Sequence, residues 1–313
     1  MRLGVLRPEG TSTGALWTPG AVGQARPVDR ELADALEAGL GARIADAGPV
    51  YGGDVAVSYR LDLTDGRRLF AKTHPHPPPG FFTTEANGLT WLGEAGAVAV
   101  PAVVAVRDRQ PAFLALAWID TGRGRPGTDA ELGRELAALH RTGAPSFGRE
   151  DRRTTGSRAL PNDPCSTWAE FYATRRLLPL ARLARDAGAL APGVIAGLER
   201  VATGLDDIGG PPEPPARLHG DLWAGNRLVG ADGRSWLIDP AAHGGHREFD
   251  LAMMRLFGGF DPACFTAYDE AFPLAPGWRD RVELHQIAPL VVHAVKFGGG
   301  YRAAAAAAIA RYA

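Results

Sequence analysis

The first organised stretch of the chain begins at Asp29, where Leu32, Ala35, Leu36 and Leu40 fall at helical spacing. This short amphipathic helix is predicted to end before Gly48-Pro49, and the period then changes. Val55, Val57, Tyr59, Leu61 and Leu63 alternate with smaller or polar residues, the pattern of a half-buried strand. Asp65-Gly66 supplies a turn, and Arg67 to Lys72 reads as the returning strand of a hairpin. After the proline-rich loop Pro75 to Pro79, Leu89 and Leu92 give Thr84 to Gly93 helical spacing. Val98 to Val106 and Phe113 to Ile119 read as two further strands. Residues 28–119 are therefore expected to form a small antiparallel-sheet lobe with one inserted helix. Residues 1–27, rich in Gly, Pro, Thr and Ala without periodicity, are expected to be a flexible extension.

From 120 to 313 the pattern is mostly helical. Thr128-Asp129-Ala130-Glu131 and Thr167-Trp168-Ala169-Glu170 both have the spacing of a capping box. The first would open a helix through Leu132, Leu136 and Leu139, the second a helix with Phe171, Tyr172 and Leu178. Pro211 to Pro215 marks a loop. Asp280 to Phe297 reads as a late helix interrupted or kinked at Pro289, and Ala303 to Ala308 favours helix strongly. The expected fold class is α+β: a sheet-rich first lobe and a larger helical second lobe.

Composition narrows the function mainly by exclusion. The 313 residues are 45% hydrophobic and 22% charged with a net charge of −1. Those are ordinary globular proportions, without the basic footprint of a nucleic-acid or anionic-membrane binder. Cys165 and Cys264 lie far apart without metal-ligand spacing, which points to a reducing, cytoplasmic setting. There is no secretory leader pattern, and no apolar run reaches the roughly 18 residues of a membrane span. The basic residues are nevertheless unusual. Of the 34, only Lys72 and Lys296 are lysines, so neither reads as casual surface decoration.

The densest chemical signal is His219-Gly220-Asp221, with Asn226 five residues beyond the Asp. Phosphoryl transfer from ATP needs a carboxylate to take the acceptor's hydroxyl proton and hard oxygen ligands for Mg²⁺. An Asp and an Asn on one tight loop can supply both. Arg227-Leu228-Val229 and Ser235-Trp236-Leu237-Ile238 then flank a turn, so that a hairpin would return Asp239 to the side of Asn226 as a second metal ligand. Upstream, such a site needs a strand lysine for the phosphates and a helix glutamate to brace it. Lys72 and Glu85 stand thirteen residues apart in suitable places. Gly52-Gly53-Asp54, before the first hairpin, is a weaker candidate for a phosphate loop. His74 and His76 read as a solvated loop, His243 and His246 lack a metal-site spacing, and Trp168, Phe171 and Tyr172 read as core.

The stretches His219 to Asn226, Ile238-Asp239-Pro240-Ala241, Gly245 to Met253 and Leu256 to Phe260 together resemble the fructosamine kinase (ketosamine-3-kinase) family. Phe70-Ala71-Lys72, Glu85 to Leu92, Leu132 to His140, Phe147-Gly148, Trp168 to Tyr172 and Arg176-Leu177 agree, so the likeness runs from about Val28 to Arg302. It implies a two-lobed protein-kinase-like fold of the aminoglycoside-phosphotransferase type. It further implies ATP and Mg²⁺, and transfer to the 3-hydroxyl of small-molecule or protein-bound ketosamines, which reverses glycation. By position, Asp221 would be the proton acceptor, Asn226 and Asp239 the metal ligands, and Lys72 the phosphate holder braced by Glu85 beneath Gly52, Gly53 and Asp54. Ala117, Trp118 and Ile119 would be the hinge for adenine, while Trp223 and His219 would meet the substrate. Three departures stand out: Ala117 replaces a commonly acidic residue, His243-Gly244 replaces paired aromatics, and residues before Val28 have no counterpart. The rival readings are a kinase for another hydroxylated amine, aminoglycoside- or choline-kinase-like, and an inactive kinase-like binding module. The expected state is a monomer or weak dimer.

Overall fold

Asp29 is an N-cap, its Oδ1 accepting the Leu32 N–H at 2.8 Å, and helix α1 (Arg30–Leu40) follows. The structure, a computed structural model, describes residues 28–51, 56–150 and 160–313. Gly52, Gly53 and Asp54 lie outside them. Five antiparallel strands form the first lobe: β1 (Ile44–Val50), β2 (Val57–Leu63), β3 (Arg68–Thr73), β4 (Val103–Arg107) and β5 (Phe113–Ala117), in the order β1-β2-β3-β5-β4. Helix α2 (Phe81–Glu94) is inserted between β3 and β4. The alternation along β5 explains the layering. Phe113 and Ala115 pack with Leu32, Leu36 and Leu40 of α1, whereas Leu114 and Leu116 pack with Phe82, Ala86 and Leu89 of α2.

The β2–β3 hairpin pairs Tyr59 with Ala71 and Leu61 with Leu69, as the alternating pattern predicts. Strand β1 was not anticipated. Its Gly48, Pro49 and half-exposed Asp46 carry no alternation, because it is an edge strand with little to bury. The strand expected from Val98 begins only at Val103, beyond Pro101. Ala99 instead accepts the Leu237 N–H at 2.8 Å and so ties the two lobes together.

The second lobe contains α3 (Thr128–Thr142), then α4 (Trp168–Phe171), which runs through a π-helical turn (Tyr172–Leu177) into α5 (Leu178–Asp186). Helices α6 (Pro192–Thr203), α7 (Leu205–Ile208), α8 (Glu248–Leu256), α9 (Pro262–Ala271), α10 (Val282–Phe297) and α11 (Gly300–Tyr312) complete it. Two short ladders lie among them: β6 (Ala216–Leu218) pairs with β9 (His243–Gly245), and β7 (Arg227–Val229) pairs with β8 (Ser235–Leu237). Trp168, Phe171 and Tyr172 are buried as expected, with Trp168 stacked on Tyr172 at 4.9 Å. Thr167 caps α4 by accepting the Glu170 N–H at 3.1 Å. The other capping box did not form. Thr128 is the first helical residue, and its hydroxyl donates to Gly233 C=O, because holding the β7–β8 turn outweighs a local cap. Helix α10 continues through buried Pro289. No helix of the described residues is long and apolar enough to cross a membrane.

Helices α3 and α9 approach so closely that a Cβ on Gly133 would lie 2.1 Å from the Cys264 carbonyl oxygen. Gly133→Ala is therefore expected to force the pair apart at a cost of about 1–3 kcal/mol. Thermal unfolding should show a loss of roughly 2–4 °C per kcal/mol. An unchanged melting temperature would mean that the helices can separate freely.

Candidate active site

Period-2 alternation places Lys72 on β3 with its side chain inward, where it is 8% exposed. Its Nζ donates to Glu85 Oε1 of α2 at 2.6 Å and to Asp239 Oδ1, which follows β8 in the other lobe. Burial disfavours the ammonium, but the charges of Asp239 and Glu85 outweigh this and raise its pKa. Burial pushes Glu85 upward to about 7, with the Lys72 charge opposing. The lysine and glutamate singled out in the sequence thus meet, and they meet the proposed metal-ligand aspartate as well.

The loop expected to be catalytic leaves β6 at His219. A buried carboxylate, Asp250 of α8, receives the His219 N–H at 2.8 Å on Oδ2 and the Gly220 N–H at 2.9 Å on Oδ1. His140 of α3 brings Nε2 to 3.3 Å from Asp250 Oδ2, and its Nδ1 lies 2.8 Å from the Tyr268 hydroxyl. Burial works against the Asp250 charge, but hydrogen bonding and charge from His140 prevail and lower its pKa. Gly220 adopts φ +80, and a Cβ there would lie 2.1 Å from the Ala241 carbonyl oxygen, so the loop requires glycine.

Asp221 comes next, and Asn226 fixes it: Asn226 Nδ2 donates to Asp221 O at 2.8 Å and to Oδ2 at 3.2 Å. Burial, followed by the charge of Asp239, pushes the Asp221 carboxyl up to about 7. The β7–β8 hairpin returns the chain as predicted, with the Ile238 N–H donating to Asn226 O at 3.0 Å. Asp239 then takes φ +54, the one positive φ of a non-glycine among the described residues. Such strain persists where the surroundings over-determine a residue, typically at a functional site. Asn226 Oδ1 accepts no hydrogen bond among the described residues, and the Asp239 side chain is 41% exposed. These two oxygen donors suit a hard divalent cation.

The remaining candidates fare differently. His219 is fully buried, with Nε2 2.9 Å from Ile238 O, so it supports the loop from behind and does not reach a substrate. Trp223 covers Gly225 and meets Phe257 edge-on at 5.9 Å, leaving it half-buried beside Asp221. At the hinge, the Ala117 N–H donates to Ala102 O and the Trp118 N–H to Arg68 O. The Ile119 N–H has no partner among the described residues and is the donor available to a base. Asp250 and His140 were missed as site residues. Their signal was an acid set inside the apolar run Phe249 to Met254, and a histidine closing a helix whose inward face is otherwise aliphatic. His246, Glu248 and His285 form a buried group, but Arg281 occupies both Glu248 oxygens, at 2.9 and 2.6 Å.

Asp250→Ala would leave two buried loop N–H groups without an acceptor, at about 1–3 kcal/mol each. Urea denaturation is expected to show a loss of about 2–5 kcal/mol, with a smaller loss for Asp250→Asn, which keeps one acceptor oxygen. Equal stability of wild type and Asp250→Ala would show that the loop is held by other means.

The fructosamine kinase family profile matches residues 28–313. A candidate ketoamine kinase of Enterococcus faecium is 35% identical over 258 residues, covering 81% of this chain and 90% of that protein. The chloroplastic protein-ribulosamine 3-kinase of Arabidopsis thaliana is 32% identical over 284 residues, 88% of this chain and 85% of its own. Among solved structures, a candidate fructosamine-3-kinase of Thermobifida fusca is 42% identical with a TM-score of 0.83, covering 90% of this chain and 98% of that one. A macrolide 2′-phosphotransferase of Brachybacterium faecium, at 18% identity and TM-score 0.57 over 89% of this chain and 96% of its own, shares the fold. With its two-lobed, aminoglycoside-phosphotransferase-like architecture, this chain is a phosphotransferase and belongs to the fructosamine kinase family.

Proposed function

We propose that the protein transfers the γ-phosphoryl group of ATP to the 3-hydroxyl of a ketosamine, with Mg²⁺, and that Asp221 accepts the hydroxyl proton. The observation that carries this reading is a single line of contacts. Lys72 bonds Asp239, whose carbonyl lies 3.5 Å from Asn226 Nδ2, and the same amide nitrogen holds Asp221. Phosphate holder, metal ligands and base therefore lie side by side. The ketosamine acceptor follows from the relatives, which include a candidate ketoamine kinase and a protein-ribulosamine 3-kinase.

Asn226 and Asp239 would hold the Mg²⁺, which when bound neutralises charge on the phosphates. Lys72, kept protonated by its carboxylate neighbours, exchanges Asp239 for phosphate oxygens while Glu85 keeps it in place. The Ile119 N–H would be the donor for adenine. Asp221, with a carboxyl near 7, is poised to take up a proton at neutral pH. Trp223 offers an aromatic face to the apolar side of the sugar. Phosphorylation at the 3-position makes the adduct unstable, so that the amine is released and glycation is reversed.

Asp221→Asn keeps size and hydrogen bonding but cannot act as a base. Turnover of a ketosamine is expected to fall about 10²–10⁴-fold while affinity for ATP is retained. Near-normal turnover would remove Asp221 from its role. Lys72→Ala is expected to weaken nucleotide binding instead, measurable by titration calorimetry, and undiminished binding would dismiss the phosphate-holding assignment.

A further inference from the structure

Beyond Lys72, the chain has one other lysine, Lys296. Lys296 sits on the last turn of α10, with Nζ 4.8 Å from the centroid of the Phe297 ring. On the same helix end, the His293 ring is 5.2 Å from Phe257, 5.5 Å from Phe297 and 5.0 Å from Tyr301. Phe257 in turn meets Trp223 of the catalytic loop. The rings form a continuous chain from the residue two beyond Asp221 out to Phe297, which is 51% exposed. The Lys296 charge also reaches Asp221, where it opposes the upward shift of the carboxyl.

Aromatic faces cover sugar faces with little regard to charge. A fixed cation at their edge does discriminate. A ketosamine already carries a basic nitrogen, and an amine portion with further ammonium groups would be repelled by Lys296. A carboxylate next to that nitrogen would pair with Lys296 and also offset the substrate's own positive charge.

Resting on the ketosamine reading above, we propose that Lys296 is a specificity-determining residue that selects acceptors bearing a carboxylate beside the amine, namely ketosamines of free α-amino acids.

The test compares kcat/KM for fructosyl-glycine and fructosyl-glycinamide, and for their ribulosyl counterparts. Wild type is expected to prefer the carboxylate by about three- to tenfold, the scale of a partly exposed ion pair with charge-assisted hydrogen bonds. The preference should shrink with added salt. Lys296→Met should bring the ratio close to one, and Lys296→Arg should keep most of it. Equal use of acid and amide by wild type overturns the inference and leaves the ketosamine reading standing. So does a Lys296→Met variant that loses rate on both acceptors alike, because Lys296 would then act through Asp221. If none of the four compounds is phosphorylated, the ketosamine reading itself falls and this inference with it.

Discussion

A buried ammonium governs the architecture of this enzyme. Lys72 lies inside the sheet lobe, where an uncompensated charge would be prohibitive, and it is stabilised by Glu85 from α2 and Asp239 from the other lobe. Removing one partner from such a group typically costs about 3–5 kcal/mol. The ion pairs therefore fix where α2 sits over β3 and draw the two lobes together around the cleft. They also hold the lysine in its charged form, the form that a polyphosphate needs.

The opposing wall is built on a second buried charge. Among the described residues Asp250 has His140 beside it, and it is satisfied chiefly by backbone N–H groups of the loop it shapes. The two carboxylates thus have different tasks. Asp250 gives its acceptors to the backbone and stays low in pKa, whereas Asp221, three residues after Leu218, takes a side-chain hydrogen bond from the Asn226 amide and is pushed up, chiefly by burial. A carboxylate of α8 held low anchors the root of the loop, and a carboxylate pushed up stands further along it, the two separated by environment alone.

Around this frame, a row of rings is assembled from distant parts of the chain. Trp223 comes from the catalytic loop, Phe257 from the end of α8, and His293, Lys296 and Phe297 from α10. Nothing in their sequence spacing joins them. Phe257 closes α8 and His293, Lys296 and Phe297 lie at the end of α10, so the ends of these two helices bring their side chains together.

Much of the reaction centre could be read from local pattern. Strict alternation around Tyr59 and Leu61 gave the hairpin that carries Lys72, and the turn between Val229 and Ser235 gave the return of Asp239, because period and turn chemistry are local properties. Edge strand β1, the role of Thr128 and the burial of His219 were not legible. An edge strand buries too little to leave a pattern, and the partners of Thr128 and His219 lie 105 and 19 residues away. Asp250 was visible as a residue but not as an anchor, since its meaning depends on the N–H groups of a loop 30 and 31 residues earlier. Sequence by itself determined the reaction class, through Asp221, Asn226, Asp239, Lys72 and Glu85. Only tertiary structure decided how those groups are held and charged, because burial and long-range partners set the state of an ionisable side chain.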